Sequence, residues 1–295
     1  MTIDFRVRVP IPETRGWVAT PHPVMQGYTE LYHDTFHGKM AQEFLRLCDS
    51  PFQEFLKVLD AAGISRVVFC ADDNESTRGK GSKLPNEVVA RLQDQFPDRI
   101  IGFAGVDPHK GMAAVRELEY AIKELGLKGL NVGPWLQELR ANDRRYYPLY
   151  AKCVELDIPV VLHTSINFAR PLTMDYGNPL YLDEVAIDFP ELKIVASHAG
   201  WPWVPQMIGV AWRHPNVYME ISGIRPKYIG RPNTGWEMLL QYGNTLLQDR
   251  VLFGTDWPLC PFQESILEVK QLPLKETVKE KWLWKNAARL LRLED

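Results

Sequence analysis

Arg6, Arg8, His163, His198, Glu220 and Asp256 are the residues whose types and settings could do chemistry together, because each lies at or near the end of a short run of strand-forming residues. Arg6 and Arg8 are two apart in Ile3-Asp4-Phe5-Arg6-Val7-Arg8, so on a strand both point the same way, to the interior or to the flanking layer. Pointing inward they make an anion site, since a guanidinium meets a carboxylate through two parallel hydrogen bonds. The alternative is a structural ion-pair network with Asp256 or Glu220, because two buried, uncompensated cations would cost on the order of several kcal/mol. His163 closes the apolar run Ile158-Pro159-Val160-Val161-Leu162, and His198 closes Lys193-Ile194-Val195-Ala196-Ser197. One such histidine reads as a hydrogen-bonded core residue, whereas two on adjacent strands can share a metal or a water. Asp256, in Gly254-Thr255-Asp256-Trp257-Pro258, adds a carboxylate suited to metal ligation or general-base work. Glu220 is either a partner for an arginine or a second functional carboxylate.

These residues are useful only if one architecture brings them together. Eight short runs read as strands: Ile3–Val9, Arg66–Cys70, Ile100–Gly105, Gly129–Val132, Pro159–His163, Lys193–His198, Val217–Ile221 and Arg250–Gly254. Amphipathic stretches lie between them, among them Gln42–Ala62, Pro85–Phe96, Met112–Leu125 and Tyr147–Leu156. Eight βα units in succession predict an α/β (β/α)8 barrel, a TIM barrel, as one domain over residues 1–295. An open doubly wound sheet is the alternative, but the glycine-rich phosphate turn that usually follows its first strand is missing here. In a barrel the chemistry sits at the C-terminal strand ends, where the six residues fall. The longest irregular stretch, from Pro10 to about Lys39, carries four prolines and three histidines and is expected to cover the barrel mouth. Trp201, Trp203 and Trp257 follow strand ends and either wall a pocket for a planar substrate or pack as core aromatics. Lys128, ahead of the fourth strand, reads as structural.

Composition narrows the function classes. A 45% hydrophobic and 24% charged chain with a net charge of −3 has no broad basic field to attract nucleic acid. No apolar run approaches the roughly 18 residues that span a bilayer, and the start of the chain has no signal-peptide core, so no membrane partner and a cytoplasmic location are expected. Cys48, Cys70, Cys153 and Cys260 form no CxxC pair and read mainly as core residues, Cys260 being the one near a strand-end turn.

The chain resembles the amidohydrolase family that includes aminocarboxymuconate-semialdehyde decarboxylase, related aromatic-acid decarboxylases and pyrone-dicarboxylate lactonase. The matching segments are Gly126-Leu127-Lys128-Gly129-Leu130, Val160–His163, Ser197-His198-Ala199-Gly200, Val251–Pro258 and Asn286-Ala287-Ala288-Arg289-Leu290-Leu291. The resemblance implies a divalent metal, zinc first, held by His163 and Asp256, with His198 as a further ligand or as a group acting on water or substrate. It departs at the first strand, where the family's Ile-Asp-x-His-x-His stands as Ile3-Asp4-Phe5-Arg6-Val7-Arg8. A metal then has His163, His198 and Asp256, with His22 or His33 from the long loop as reserves, or the barrel works without metal as the lactonase relatives do.

The expected function is hydrolysis or decarboxylation of a small carboxylated cyclic or aromatic compound. Asp256, His198 and His163 are the catalytic candidates, and Arg6, Arg8, Trp257 and Glu220 the substrate-binding ones. The competing class is a ligand-binding descendant without turnover. No organic cofactor is implied, and homo-oligomerisation stays open.

Overall fold

The computed structural model describes residues 1–19, 23–31 and 38–293. Its central sheet has eight strands, β1 (Ile3–Asp4), β2 (Arg66–Cys70), β3 (Ile100–Gly105), β4 (Leu130–Val132), β5 (Val160–His163), β6 (Ile194–Ser197), β7 (Val217–Glu220) and β8 (Val251–Leu252). Every strand is parallel to its neighbour, and the spatial order is the chain order. The two ends then meet: Phe5 N–H donates to Phe253 O at 2.9 Å, Asp256 N–H to Arg6 O at 2.8 Å and Arg8 N–H to Trp257 O at 2.9 Å. The sheet is a closed (β/α)8 barrel, as the strand count predicts.

Period-two alternation separates its two apolar layers. Ile3, Phe5, Val68, Ile101, Phe103, Val161, Val195 and Leu252 fill the interior. Val67, Phe69, Val160, Leu162, Ala196, Met219 and Phe253 face the helices. The last helix, Asn286–Leu291, is tied to the barrel by Asn286 Nδ2, which donates to Val251 O (2.8 Å) and Gln248 O (3.0 Å). Among the described residues no helix is long and apolar enough to cross a membrane.

Three sequence expectations are corrected by local chemistry. The first strand does not run unbroken to Val9. The Asp4 carboxylate accepts the Arg6 N–H at 3.1 Å and bends the chain at Phe5. Phe5 therefore packs inside while Val7, two residues on, packs outside. Unbroken alternation with Phe5 inward would have aimed Arg6 and Arg8 at the helix layer; the bend turns both into the mouth of the barrel. The stretch Gln42–Ala62 is two helices, Lys39–Cys48 and Phe52–Ala62, because Pro51 lacks the N–H that continuation requires and becomes the cap of the second. The segment after β1 is not irregular throughout: it contains short helical turns at Pro12–Thr14, Gly16–Ala19, Pro23–Met25 and Gln26–Leu31.

The seam between β1 and the end of β8 is polar at its centre. Asp4 is fully buried and accepts from Thr255 N–H (2.9 Å), Thr255 Oγ1–H (2.6 Å) and Arg6 N–H. Thr255→Val keeps the side-chain shape but leaves a buried carboxylate oxygen without its donor. It is expected to lower unfolding stability by about 1–3 kcal/mol, read as a drop in the urea midpoint with an unchanged slope.

Candidate active site

A cavity of about 450 Å³ opens at the C-terminal ends of the strands, within the size range of small-molecule sites. Arg6, Arg8, Asn131, His163, His198 and Asp256 form its polar base. Its walls include Trp135, Trp201 and Trp236, with Trp17, Met25 and Tyr28 contributed by the segment after β1. That segment covers the mouth as expected, whereas Trp17 and Trp236 have no strand-end or motif signal in the sequence; Trp135, three residues past the fourth strand, carries a strand-end signal that the sequence analysis misses. Trp17 and Trp236 come from turns whose paths depend on the assembled barrel.

The dominant feature is a pair of cations sharing one anion. Arg6 Nε is 3.5 Å and Arg8 Nε 3.6 Å from Asp256 Oδ1. These are ion pairs without hydrogen bonds: Arg6 Nε, Arg8 Nε and Asp256 Oδ1 are buried and none has a hydrogen-bond partner among the described residues. Arg6 Nη1 reaches Asn131 Oδ1 (3.4 Å) and Ser197 Oγ (3.5 Å). Arg8 lies over the Trp17 ring at 5.0 Å and is 4.0 Å from Asp72. Burial lowers the Arg6 pKa, but the negative field of Asp256 and its neighbours outweighs it, so the net shift is upward and the charge is held. The expected pairing with Asp256 is present, and the inward orientation is present too; the sequence alternatives coexist.

Both histidines are neutral. Burial, the facing His198 and the Arg6 charge push the His163 pKa well down, while burial followed by Arg6 takes His198 to about 3. Their rings meet edge to face at 4.7 Å. His163 Nε2 is 3.2 Å from Ser165 Oγ. His198 Nδ1 lies 2.9 Å from Ser222 O and 3.0 Å from Ser222 Oγ. His198, Ala199 and Asp256 have φ of 66°, 48° and 53°, a region that side-chain-bearing residues rarely occupy.

Glu220 and Trp257, candidates for substrate contact, are not in the cavity wall. Glu220 has no exposed surface; its two carboxyl oxygens accept from Ser222 N–H and, at 2.8 Å, from Ser222 Oγ–H. No ion pair joins it to Arg6, whose partner is Asp256. Trp257 is turned outward by the Asp256 bend, bridges to Val7 and stacks on Phe262 at 5.1 Å beside Phe44 and Phe55. Trp201 does line the cavity and Trp203 does not. All four cysteines are free; burial pushes the Cys70 thiol up to about 11 and Cys260 higher still, which removes Cys260 as a nucleophile.

The donor set does not fit a divalent ion. Among the described residues no group of three or more His, Cys, Asp and Glu side chains could hold a metal, so the expected set of His163, His198 and Asp256 is not assembled. The physical reason is that Asp256 Oδ1 faces two guanidinium groups, which would repel a dication. His22 and His33 lie outside the described residues.

Residues 37–293 match the amidohydrolase family. The chain belongs to that family. It is an enzyme of the amidohydrolase superfamily, and its relatives share the barrel end to end. An uncharacterised TIM-barrel protein from Bordetella bronchiseptica superposes with a TM-score of 0.79 at 31% identity, covering 99% of this chain and 98% of that one. Gamma-resorcylate decarboxylase of Polaromonas sp. is 25% identical over 286 residues, 80% of this chain and 82% of that protein. A dihydroxybenzoic acid decarboxylase from Polaromonas sp., solved with manganese and 2-nitroresorcinol, has a TM-score of 0.67 at 21% identity, covering 99% of this chain and 97% of that one. The metal in that relative is manganese, not the zinc expected from sequence.

The buried carboxyls of this amidohydrolase make its stability depend on pH. Burial raises Glu220 from the ordinary 4.5 to about 8 and Asp4 from 3.8 to about 7. The native chain thus keeps protons that the unfolded chain releases, and stability falls as pH rises through these windows. The depressed histidines act oppositely, but only below their ordinary 6.5, where the unfolded chain takes up protons that the native chain refuses. Between pH 6.5 and 8 the histidine contribution fades and the carboxyls dominate. Glu220→Gln is expected to flatten the decline of the urea midpoint across that interval; an unchanged slope would refute the assignment.

Proposed function

We propose that this amidohydrolase-family enzyme hydrolyses a small carboxylated ring compound, a lactone or similar cyclic ester, without a bound metal. The observation that carries the reading is the pair Arg6 and Arg8, whose Nε–H groups and shared anion Asp256 Oδ1 are all left without hydrogen-bond partners at the cavity. A substrate carboxylate supplies the acceptors that the guanidinium groups lack. A water supplies the proton that Asp256 Oδ1 lacks. The aromatic walls suit a planar ring.

In the proposed reaction Asp256 takes a proton from water as the hydroxide oxygen bonds to the ester carbon. Collapse of the tetrahedral adduct breaks the ring C–O bond, and the proton on Asp256 passes to the departing oxygen. Arg6 and Arg8 hold the spectator carboxylate and the ring; the neutral rings of His163 and His198 border the reacting carbon. No step draws on Glu220 or Trp257.

Decarboxylation of a carboxylated aromatic is the second reading, favoured by the activities in the names of the relatives. The arginine pair weighs against it where the bound carboxylate is the one lost. Guanidinium contacts stabilise the carboxylate of the ground state more than the transition state in which its charge moves into the ring, and that raises the barrier. The two readings separate in one assay of carboxylated lactones and hydroxybenzoates, following ring opening and released carbon dioxide. Lactone turnover is expected, retained after chelator treatment with substoichiometric metal by elemental analysis. Arg6→Met and Arg8→Met should each weaken substrate binding by about 1.5–3 kcal/mol, seen chiefly in KM, and Asp256→Asn should remove kcat. Chelator-sensitive release of carbon dioxide with no ring opening would overturn the proposal.

A further inference from the structure

We infer that Glu220 in its ionised form, acting through Ser222, fixes His198 as the tautomer with its proton on Nδ1, leaving Nε2 as the ring's proton acceptor. Glu220 is a positioning residue in this scheme, and the inference holds whichever reaction the cavity carries.

Two oxygens of Ser222 lie against Nδ1. Ser222 O, at 2.9 Å, has no proton and can pair only with Nδ1–H. Ser222 Oγ, at 3.0 Å, is a hydroxyl that could either accept from Nδ1 or donate to it. Glu220 removes the second choice. Its Oε2 lies 2.8 Å from Ser222 Oγ and draws the hydroxyl proton to itself, so Ser222 turns lone pairs to the ring. Its Oε1 accepts the Ser222 N–H and holds the backbone whose carbonyl faces Nδ1. With both neighbouring oxygens acting as acceptors, the proton belongs on Nδ1 and the lone pair on Nε2.

The surroundings are shaped for this relay. Glu220 has no exposed surface and, among the described residues, no ion-pair partner and no hydrogen-bond donor other than Ser222, an expensive placement for a carboxyl that served only packing. A Cβ on Gly254 would come within 2.2 Å of Glu220 Oε1, so only glycine leaves room for the carboxyl there. A Cβ on Gly223, at φ +76°, would stand 2.8 Å from His198 Nδ1. His198 itself sits at φ 66°, a conformation that persists where the environment holds the residue firmly.

The test reads the tautomer directly, without a substrate. The full chain, labelled with 15N at its seven histidines, is examined by long-range 1H–15N correlation at a pH about one unit above the Glu220 value of about 8, with His198 assigned through His198→Asn. The wild type is expected to show one His198 pattern, Nδ1 protonated and Nε2 bare. Glu220→Gln places an amide donor against Ser222 Oγ, frees the hydroxyl to donate to Nδ1, and is expected to bring in the Nε2–H form. Adding Ser222→Ala removes that competing donor and should restore the wild-type pattern, a reversal that general loosening would not produce. A wild-type signal dominated by Nε2–H, a Glu220→Gln signal unchanged from wild type, or a double variant that fails to revert would each overturn the inference. Because the wild-type spectrum alone tests the tautomer, the inference stays falsifiable if Glu220→Gln does not fold.

Discussion

Asp4 accepts three hydrogen bonds inside the barrel wall, two from Thr255 and one from Arg6, and much of the molecule depends on that contact. It joins the first strand to the end of the last, and so closes a sheet whose other strands pair in simple succession. It also bends the chain at Phe5, which is why Arg6 and Arg8 face the cavity and not the helix layer. Asp256 follows Thr255 directly and arrives beside both arginines through the same seam. One buried carboxylate thus closes the fold and assembles the charged centre. Its three donors offset only part of the desolvation cost, which still raises the carboxyl to about 7.

The centre so formed is electrostatically unfinished. Two guanidinium groups share one carboxylate at distances too long for hydrogen bonding, and the atoms facing each other keep unused donors and an unused acceptor. A structural ion pair would normally satisfy those groups, since buried polar atoms without partners are expensive. The same positive field adds to burial, the larger cause, in setting the state of the histidines. Beside Arg6 and away from water, His163 and His198 lose the tendency to take a proton and serve as neutral groups. It also accounts for the poor fit of a dication, which would have to settle against two fixed positive charges. A carboxylated ligand meets both conditions at once, bringing negative charge to the arginines and a flat apolar ring to the tryptophan walls.

Much of this was legible in the linear chain because it rests on local pattern. Eight short strand runs separated by amphipathic stretches determine a parallel barrel, since period-two and period-3.6 hydrophobicity decide which elements form and which faces they bury. Placement at strand ends then determines that His163, His198 and Asp256 gather at one mouth, as they do. What the sequence could not determine were relations across elements. The inward turn of Arg6 and Arg8 follows from a hydrogen bond made by Asp4, not from the spacing of the arginines. Glu220 and Trp257 stood at the right height on their strands, yet the parity of β7 placed one beneath the cavity against Ser222, and the turn at Asp256 sent the other into the helix layer. Trp17 and Trp236 became walls because loops from distant parts of the chain converge over the barrel. Only the tertiary structure decided these, because side-chain direction at a bend and the path of a loop are set by contacts between residues far apart in sequence.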